Sequence, residues 1–161
     1  MRLTIRTNLA MRTLMFCAIN AGRTVRKSEI AENCNASENH LAQVINTLSQ
    51  RGFIETRRGR AGGMQLARPA AEISVGEVFR SFEGGLPFAE CFDEGSNTCP
   101  LRDGCMLRNA LSKALEAFFA ELDRYNLADL VENNDKLEKI LLLPNAMPHV
   151  TACSPRISAL H

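Results

Sequence analysis

The most restrictive feature of this sequence is the order of patterns in its first 68 residues, which reads as three helices separated by turn signals and then a glycine-rich hairpin. From Thr7, read as an N-cap, Ala10, Met11, Leu14, Met15, Cys17, Ala18 and Ile19 recur at helical spacing until Gly22 interrupts them. Ser28 is expected to cap a short second helix carrying Ile30 and Ala31, which ends at Asn33-Cys34-Asn35-Ala36. Ser37 is expected to cap a third, whose Leu41, Val44, Ile45 and Leu48 follow the i, i+3, i+4, i+7 pattern up to Gly52. Two short helices across a tight turn suggest a helix-turn-helix.

The following residues extend that pattern. Phe53-Ile54-Glu55-Thr56-Arg57 reads as a strand and Met64-Gln65-Leu66-Ala67 as its return, with Arg58-Gly59-Arg60-Ala61-Gly62-Gly63 between them. Glycines permit the reversal, and arginines project from the ribbon as they would from a wing. In a module of this kind the third helix offers Ser37, Glu38, Asn39, His40 and Gln43 to the major groove. Ser28 and the wing residues Arg57, Arg58, Gly59, Arg60, Gly62 and Gly63 would lie along the backbone or minor groove.

Charge agrees with this reading. The net charge is +1, yet residues 1–68 hold 11 Lys/Arg against 4 Asp/Glu and the remainder hold 8 against 14. The basic part suits a polyanion such as double-stranded DNA, and the acidic part would be repelled by one. An ordinary solvated surface is the competing explanation of charge alone. No apolar run is long enough for a signal-peptide core or a membrane span, so a soluble, cytoplasmic protein without a membrane partner is expected. Six cysteines in such a compartment are expected to be thiols, ligands or sensors rather than disulfides.

Residues 74–82 read as a further short helix, after which 83–104 lack any helical or strand period, an unusually long stretch for an idle connection. Cys91, Cys99 and Cys105 fall in it or at its edge. A closed zinc site fits poorly, because no histidine occurs between His40 and His149 and no Cys-x-x-Cys spacing is present. Three thiolates on a loop with proline and glycine suit an iron-sulfur cluster with one further ligand from elsewhere; three incidental thiols remain the alternative. Cys17 is expected in the core, and Cys34 and Cys153 are expected free. No nucleotide-binding glycine loop, clustered His/Asp/Glu set or nucleophile elbow is visible, so an enzyme is not expected.

From Met106 a long helix carries Leu107, Leu111, Ala114, Leu115, Phe118, Phe119 and Leu122 on one side, a stripe that a second copy of the same helix would bury. The expected fold class is therefore mainly α with a small β-wing, a winged helix-turn-helix plus a long dimerisation helix. The division is 1–82 for DNA binding, 83–105 for the cysteine loop, 106–143 for the dimerisation helix and the segment after it, and 144–161 for a flexible tail. A homodimer would read a palindromic operator, its two modules about one helical turn apart.

The start Met1-Arg2-Leu3-Thr4, the wing with Leu66-Ala67-Arg68-Pro69 after it, and the three-cysteine loop resemble the Rrf2 family of winged-helix regulators over residues 1 to about 143. The stretch Leu111-Ser112-Lys113-Ala114 and residues 121–131 are similar to the family's nitric-oxide-sensing branch. The loop from Glu90-Cys91-Phe92 to Cys99-Pro100-Leu101 is more similar to its iron-responsive branch. The resemblance implies a repressor whose cluster, of the 4Fe-4S type, is held by Cys91, Cys99 and Cys105. It also implies a recognition helix starting near Ser37, and a signal that is nitric oxide or, in the alternative, low iron that derepresses iron-uptake genes. Asn8 stands where the nitric-oxide branch has an aspartate that the partner chain donates as fourth ligand, and an amide is the poorer iron ligand. Leu107 stands where the family's iron-sulfur biogenesis regulator has a histidine.

Overall fold

The computed structural model describes residues 3–142 with the exception of 60, 61, 86, 94 and 96, and of Arg102 the backbone alone. Met1, Arg2, Arg60, Cys153 and the expected tail 144–161 lie outside the described residues.

Helix α1 (Ile5–Ile19) runs through the middle of the molecule. Leu9, Ala10, Met11, Leu14, Phe16, Cys17, Ala18 and Ile19 are all buried, which a helix apolar around most of its circumference requires. Its cap lies three residues before the expected one. Thr4 is the N-cap and its hydroxyl accepts from the Thr7 backbone N–H at 3.2 Å, while Thr7 is itself buried inside the helix. The reason lies far along the chain, where the Glu83 carboxylate accepts from Thr4 N at 2.9 Å and from the Thr4 and Thr7 hydroxyls.

Helix α2 (Lys27–Asn33) and helix α3 (Glu38–Gln50) form the helix-turn-helix. The cap of α2 is Arg26 rather than Ser28, because Glu29 accepts from the Arg26 N–H at 2.6 Å and also pairs with Arg23. Ser37 occupies the N-cap of α3 as expected, although its side chain makes no capping hydrogen bond. Asn35 turns the chain between the two helices with φ of 47°, and Arg12 of α1 braces that turn by donating to the Cys34 carbonyl at 3.0 Å.

Strands β1 (Ile54–Arg57) and β2 (Gly63–Leu66) pair antiparallel, Ile54 opposite Leu66 and Arg57 opposite Gly63. Val25 bridges to β2 by exchanging two 2.8 Å hydrogen bonds with Met64. Helix α4 (Val75–Glu83) is capped by Ser74 and leads to the cysteine loop, after which come α5 (Met106–Leu122), α6 (Leu127–Val131) and α7 (Asp135–Leu141). Leu127, Val131 and Leu141 share one core with α1, so the segment after α5, grouped with that helix in the sequence reading, returns to the N-terminal body. Buried Asn20 fixes the return by donating to the Leu141 carbonyl at 2.8 Å. Among the described residues no helix is long and apolar enough to cross a membrane.

Helix α5 differs from the others in having no buried residue along its 17 positions. It meets the body at one end, where Phe79 and Phe118 lie 6.2 Å apart and Arg80 grips Asp123 with two 2.5 Å bonds. Gly76 makes this approach possible, since a Cβ there would meet Asp123 Oδ1 at 2.0 Å and its backbone nitrogen at 3.0 Å. Gly76→Ala gains about 1 kcal/mol of helix propensity but overpacks the contact at about 1–3 kcal/mol. A net loss of stability in urea unfolding is expected; a variant as stable as the parent would refute so close a contact.

Candidate nucleic-acid interface and cysteine centre

Helix α3 divides sharply between its faces. Leu41, Val44 and Leu48 are buried against α1 and the hairpin, whereas Glu38, Asn39, His40 and Gln43 are exposed. The helical period puts Ala42 and Asn46 on the same open face, beside Asn39, and both are exposed. Sequence reasoning passed over them, although Asn46 stands one heptad step from Asn39. Ser28 and Ser37 are exposed beside it, and Lys27 of α2 holds Glu38 at 2.9 Å. The face is therefore polar, rich in amides, and free of buried obligations.

The hairpin presents Arg57, Arg58 and Gly59 in the open, with Gly62 and Gly63 half-buried at its base. Gly59 has φ of 105°, which a side chain rarely adopts, and its carbonyl accepts from Gly62 N at 2.9 Å to close the tip. Gly63 lies so near Val25 that a Cβ would meet its carbonyl oxygen at 2.5 Å. The sequence could announce the turn, but the second role depends on a partner 38 positions away.

The three loop cysteines are each half-buried, and Cys91 sits in a short 3-10 turn, Glu90–Phe92. Among the described residues no group of three or more His, Cys, Asp and Glu side chains is close enough to hold a metal ion. Their backbones, however, are tied together. Glu90, next to Cys91, accepts from the Thr98 N–H at 2.8 Å and the Thr98 hydroxyl at 2.7 Å, next to Cys99. Arg108 in the first turn of α5 donates to the Cys91 carbonyl at 3.0 Å, and Cys105 is the N-cap of that same helix. Cys105 thus stands at a helix start that carries no acidic residue, while the Thr98 and Arg108 bonds tie the segments bearing Cys99 and Cys91 to one another and to that helix. Cys17 and Cys34 stand apart from this set. Burial, and then the Cys34 charge, pushes the Cys17 thiol up to about 12; burial also raises Cys34, against the pull of Arg12. Both are buried, which for Cys34 the sequence did not suggest.

Asn8 is exposed and lies in a cleft of about 440 Å³ with Arg12, Asn35, Ser37 and His40. Asn8 thus shares that cleft with the start of α3. One end of the same α1 segment is tied to Glu83, the last residue of α4 before the loop. Burial disfavours the charge on Glu83, but hydrogen bonds from Thr7 and Thr4 outweigh it and hold the carboxyl below the usual glutamate range.

Residues 3–133 match the family model Rrf2, described as an iron-dependent transcriptional regulator. Protein aau3 of Rhizobium meliloti is 44% identical over 141 residues, covering 88% of this chain and 92% of that protein. The HTH-type transcriptional regulator NsrR of Bacillus subtilis is 41% identical over 142 residues, with 88% and 97% covered. Among solved structures, IscR of T. potens superposes with a TM-score of 0.65 at 26% identity, covering 84% of this chain and 90% of that one.

The Glu83 bonds predict a pH dependence with a definite sign. A carboxyl depressed in the folded state contributes stability above its unfolded value of about 4.3 and loses it as pH falls through the lower folded value. Glu83→Gln should lower the melting temperature at pH 7, and the gap to the parent should close as the pH drops below that range. A gap that stays constant down to pH 3 would assign the effect to something other than charge.

Proposed function

The chain belongs to the Rrf2 family of transcription regulators, and from that premise we propose that it is a homodimeric repressor whose three loop cysteines hold an iron-sulfur cluster that senses nitric oxide. It is a winged helix-turn-helix DNA-binding regulator and not an enzyme. The observation that supports the sensing role is the pair of ties, Glu90 to Thr98 and Arg108 to Cys91, that links the Cys91 segment to the Cys99 segment and to the helix that Cys105 precedes.

In this reading residues 1–82 bind DNA, 83–105 hold the cluster and α5 pairs two copies. Asn39 and Gln43 suit adenine edges and Glu38 a cytosine amino group, while Ser28, Ser37 and His40 flank the groove contact. Arg57, Arg58 and Arg60 neutralise phosphates, with Gly59, Gly62 and Gly63 allowing the wing to approach. Cys91, Cys99 and Cys105 supply three thiolates, and a cluster of the 4Fe-4S type would offer iron open to a small diatomic ligand. Asn8 of the partner chain is the candidate neighbour of the fourth iron position, and its cleft borders Ser37 and His40 at the start of α3. Release of the loop thiolates would therefore loosen both the start of α1, through Glu83, and the setting of α3. A hundredfold weaker operator complex needs about 2.7 kcal/mol of difference between the two states.

A second signal has its own support. The long Cys91-to-Cys99 spacing, closed by Glu90, resembles the iron-responsive branch, in which cluster loss under low iron would derepress iron uptake.

Anaerobically loaded protein should bind a palindromic operator, and stoichiometric nitric oxide should release it; release by an iron chelator with indifference to nitric oxide would favour the second signal. Cys91→Ser, Cys99→Ser and Cys105→Ser should each lose the visible absorbance of the cluster, whereas Cys17→Ser and Cys34→Ser should keep it. Full iron and sulfide content in all three loop variants would overturn the proposal. On the DNA side, Arg58→Ala should flatten the logarithmic salt dependence by about 0.9 without changing base preference. Asn39→Ala should instead cost about 1–3 kcal/mol at one base pair, and a uniform loss on every sequence would remove it from base reading.

A further inference from the structure

The cysteine loop contains a polar group that none of its internal bonds uses. Among the described residues, Asn97 Nδ2 is the one buried side-chain nitrogen or oxygen without a hydrogen-bond partner. Its orientation is fixed by its neighbours. The Cys99 backbone N–H donates to Asn97 Oδ1 at 3.0 Å, and the Asn97 N–H donates to the Asp93 carbonyl at 3.1 Å. Turning the amide over would set an NH2 against the Cys99 N–H and forfeit the first of these bonds. The amide therefore holds Cys99 with its oxygen while both hydrogens of Nδ2 remain available.

Buried donors are rarely left without an acceptor, and no acceptor among the described residues reaches this one. The position narrows its chemistry. Asn97 lies two residues before Cys99 and next to Thr98, whose clamp to Glu90 draws the Cys91 segment alongside. The acceptor chemistry suited to thiolate anchors is sulfur carrying negative charge, a cluster sulfide or the thiolate of Cys99 bound to iron.

We infer that Asn97 is a positioning residue that donates from Nδ2 to a sulfur of the cluster while its Oδ1 sets the backbone of Cys99. This rests on the cluster reading proposed above. A donor to cluster sulfur withdraws electron density, which raises the reduction potential and slows oxidative loss.

Two variants separate donation from simple support of the loop. Asn97→Asp keeps an oxygen for the Cys99 N–H but removes the donor; Asn97→Ala removes both. Parent and variants are loaded with iron and sulfide without air, and the cluster potential and Fe–S stretching bands are measured, together with the decay of visible absorbance in air. Both variants should show a more negative potential and shifted bands, with decay about tenfold faster than the parent. Asn97→Asp should be displaced at least as far as Asn97→Ala. If Asn97→Asp behaves as the parent and only Asn97→Ala differs, the amide is a loop support and the inference falls. Parent-like potentials and bands in both variants also overturn it while leaving the cluster reading intact. A parent protein that takes up no cluster overturns both.

Discussion

Leu14 and Phe16 lie on opposite sides of α1 and both are wholly buried, so helices from both ends of the chain must close around it. The arrangement of the other elements follows from that need. α3 covers one side, the hairpin with Val25 another, and α4 with α6 and α7 the rest, all within one apolar cluster. A helix so enclosed cannot shift by itself without opening cavities or clashes, because protein interiors are packed to near-crystalline density. Its ends are the places where it can be addressed, and both are held by polar bonds from distant residues: Glu83 at Thr4 and Thr7, Leu141 at Asn20.

The cysteine loop is suspended between two such attachment points. At its beginning Glu83 grips the start of α1, and at its end Cys105 stands at the N-cap position of α5, which Arg108 ties back to Cys91. α5 in turn is fastened to α4 by Arg80 and Asp123, where Gly76 lets the two backbones approach. Exposed ion pairs contribute little stability individually, so the bidentate geometry matters here mainly for where it sets the helix. Under the proposed function, a change in the loop acts at both attachments together, at the cleft beside α3 and at the helix that would pair two copies.

Local pattern was a sound guide wherever a residue's partners lie within a few positions. The third helix, Ser37 at its head, Gly52 behind it and the arginine-bearing hairpin were readable because periodicity and turn chemistry act over one or two turns. Cap assignment failed where a remote group intervened. Thr7 has the right chemistry for a cap, but Glu83 satisfies the first-turn donors from 76 to 79 positions away and moves the start to Thr4. Ser28 lost to Arg26 because Glu29, already paired with Arg23, reaches back to the Arg26 N–H.

The sequence by itself determined the fold class, the open amide-bearing face of α3, the wing and the separation of three loop cysteines from the core thiol Cys17, since apolar period and residue chemistry are local properties. Tertiary structure alone decided that Cys34 is buried, that Val25 joins the hairpin, and that α6 and α7 return to α1. It also decided that Glu90 and Thr98 close the loop over eight positions, leaving Asn97 a donor in reserve. Each of these depends on contacts between residues far apart in the chain, where a bond forms only once the core has already fixed the distance.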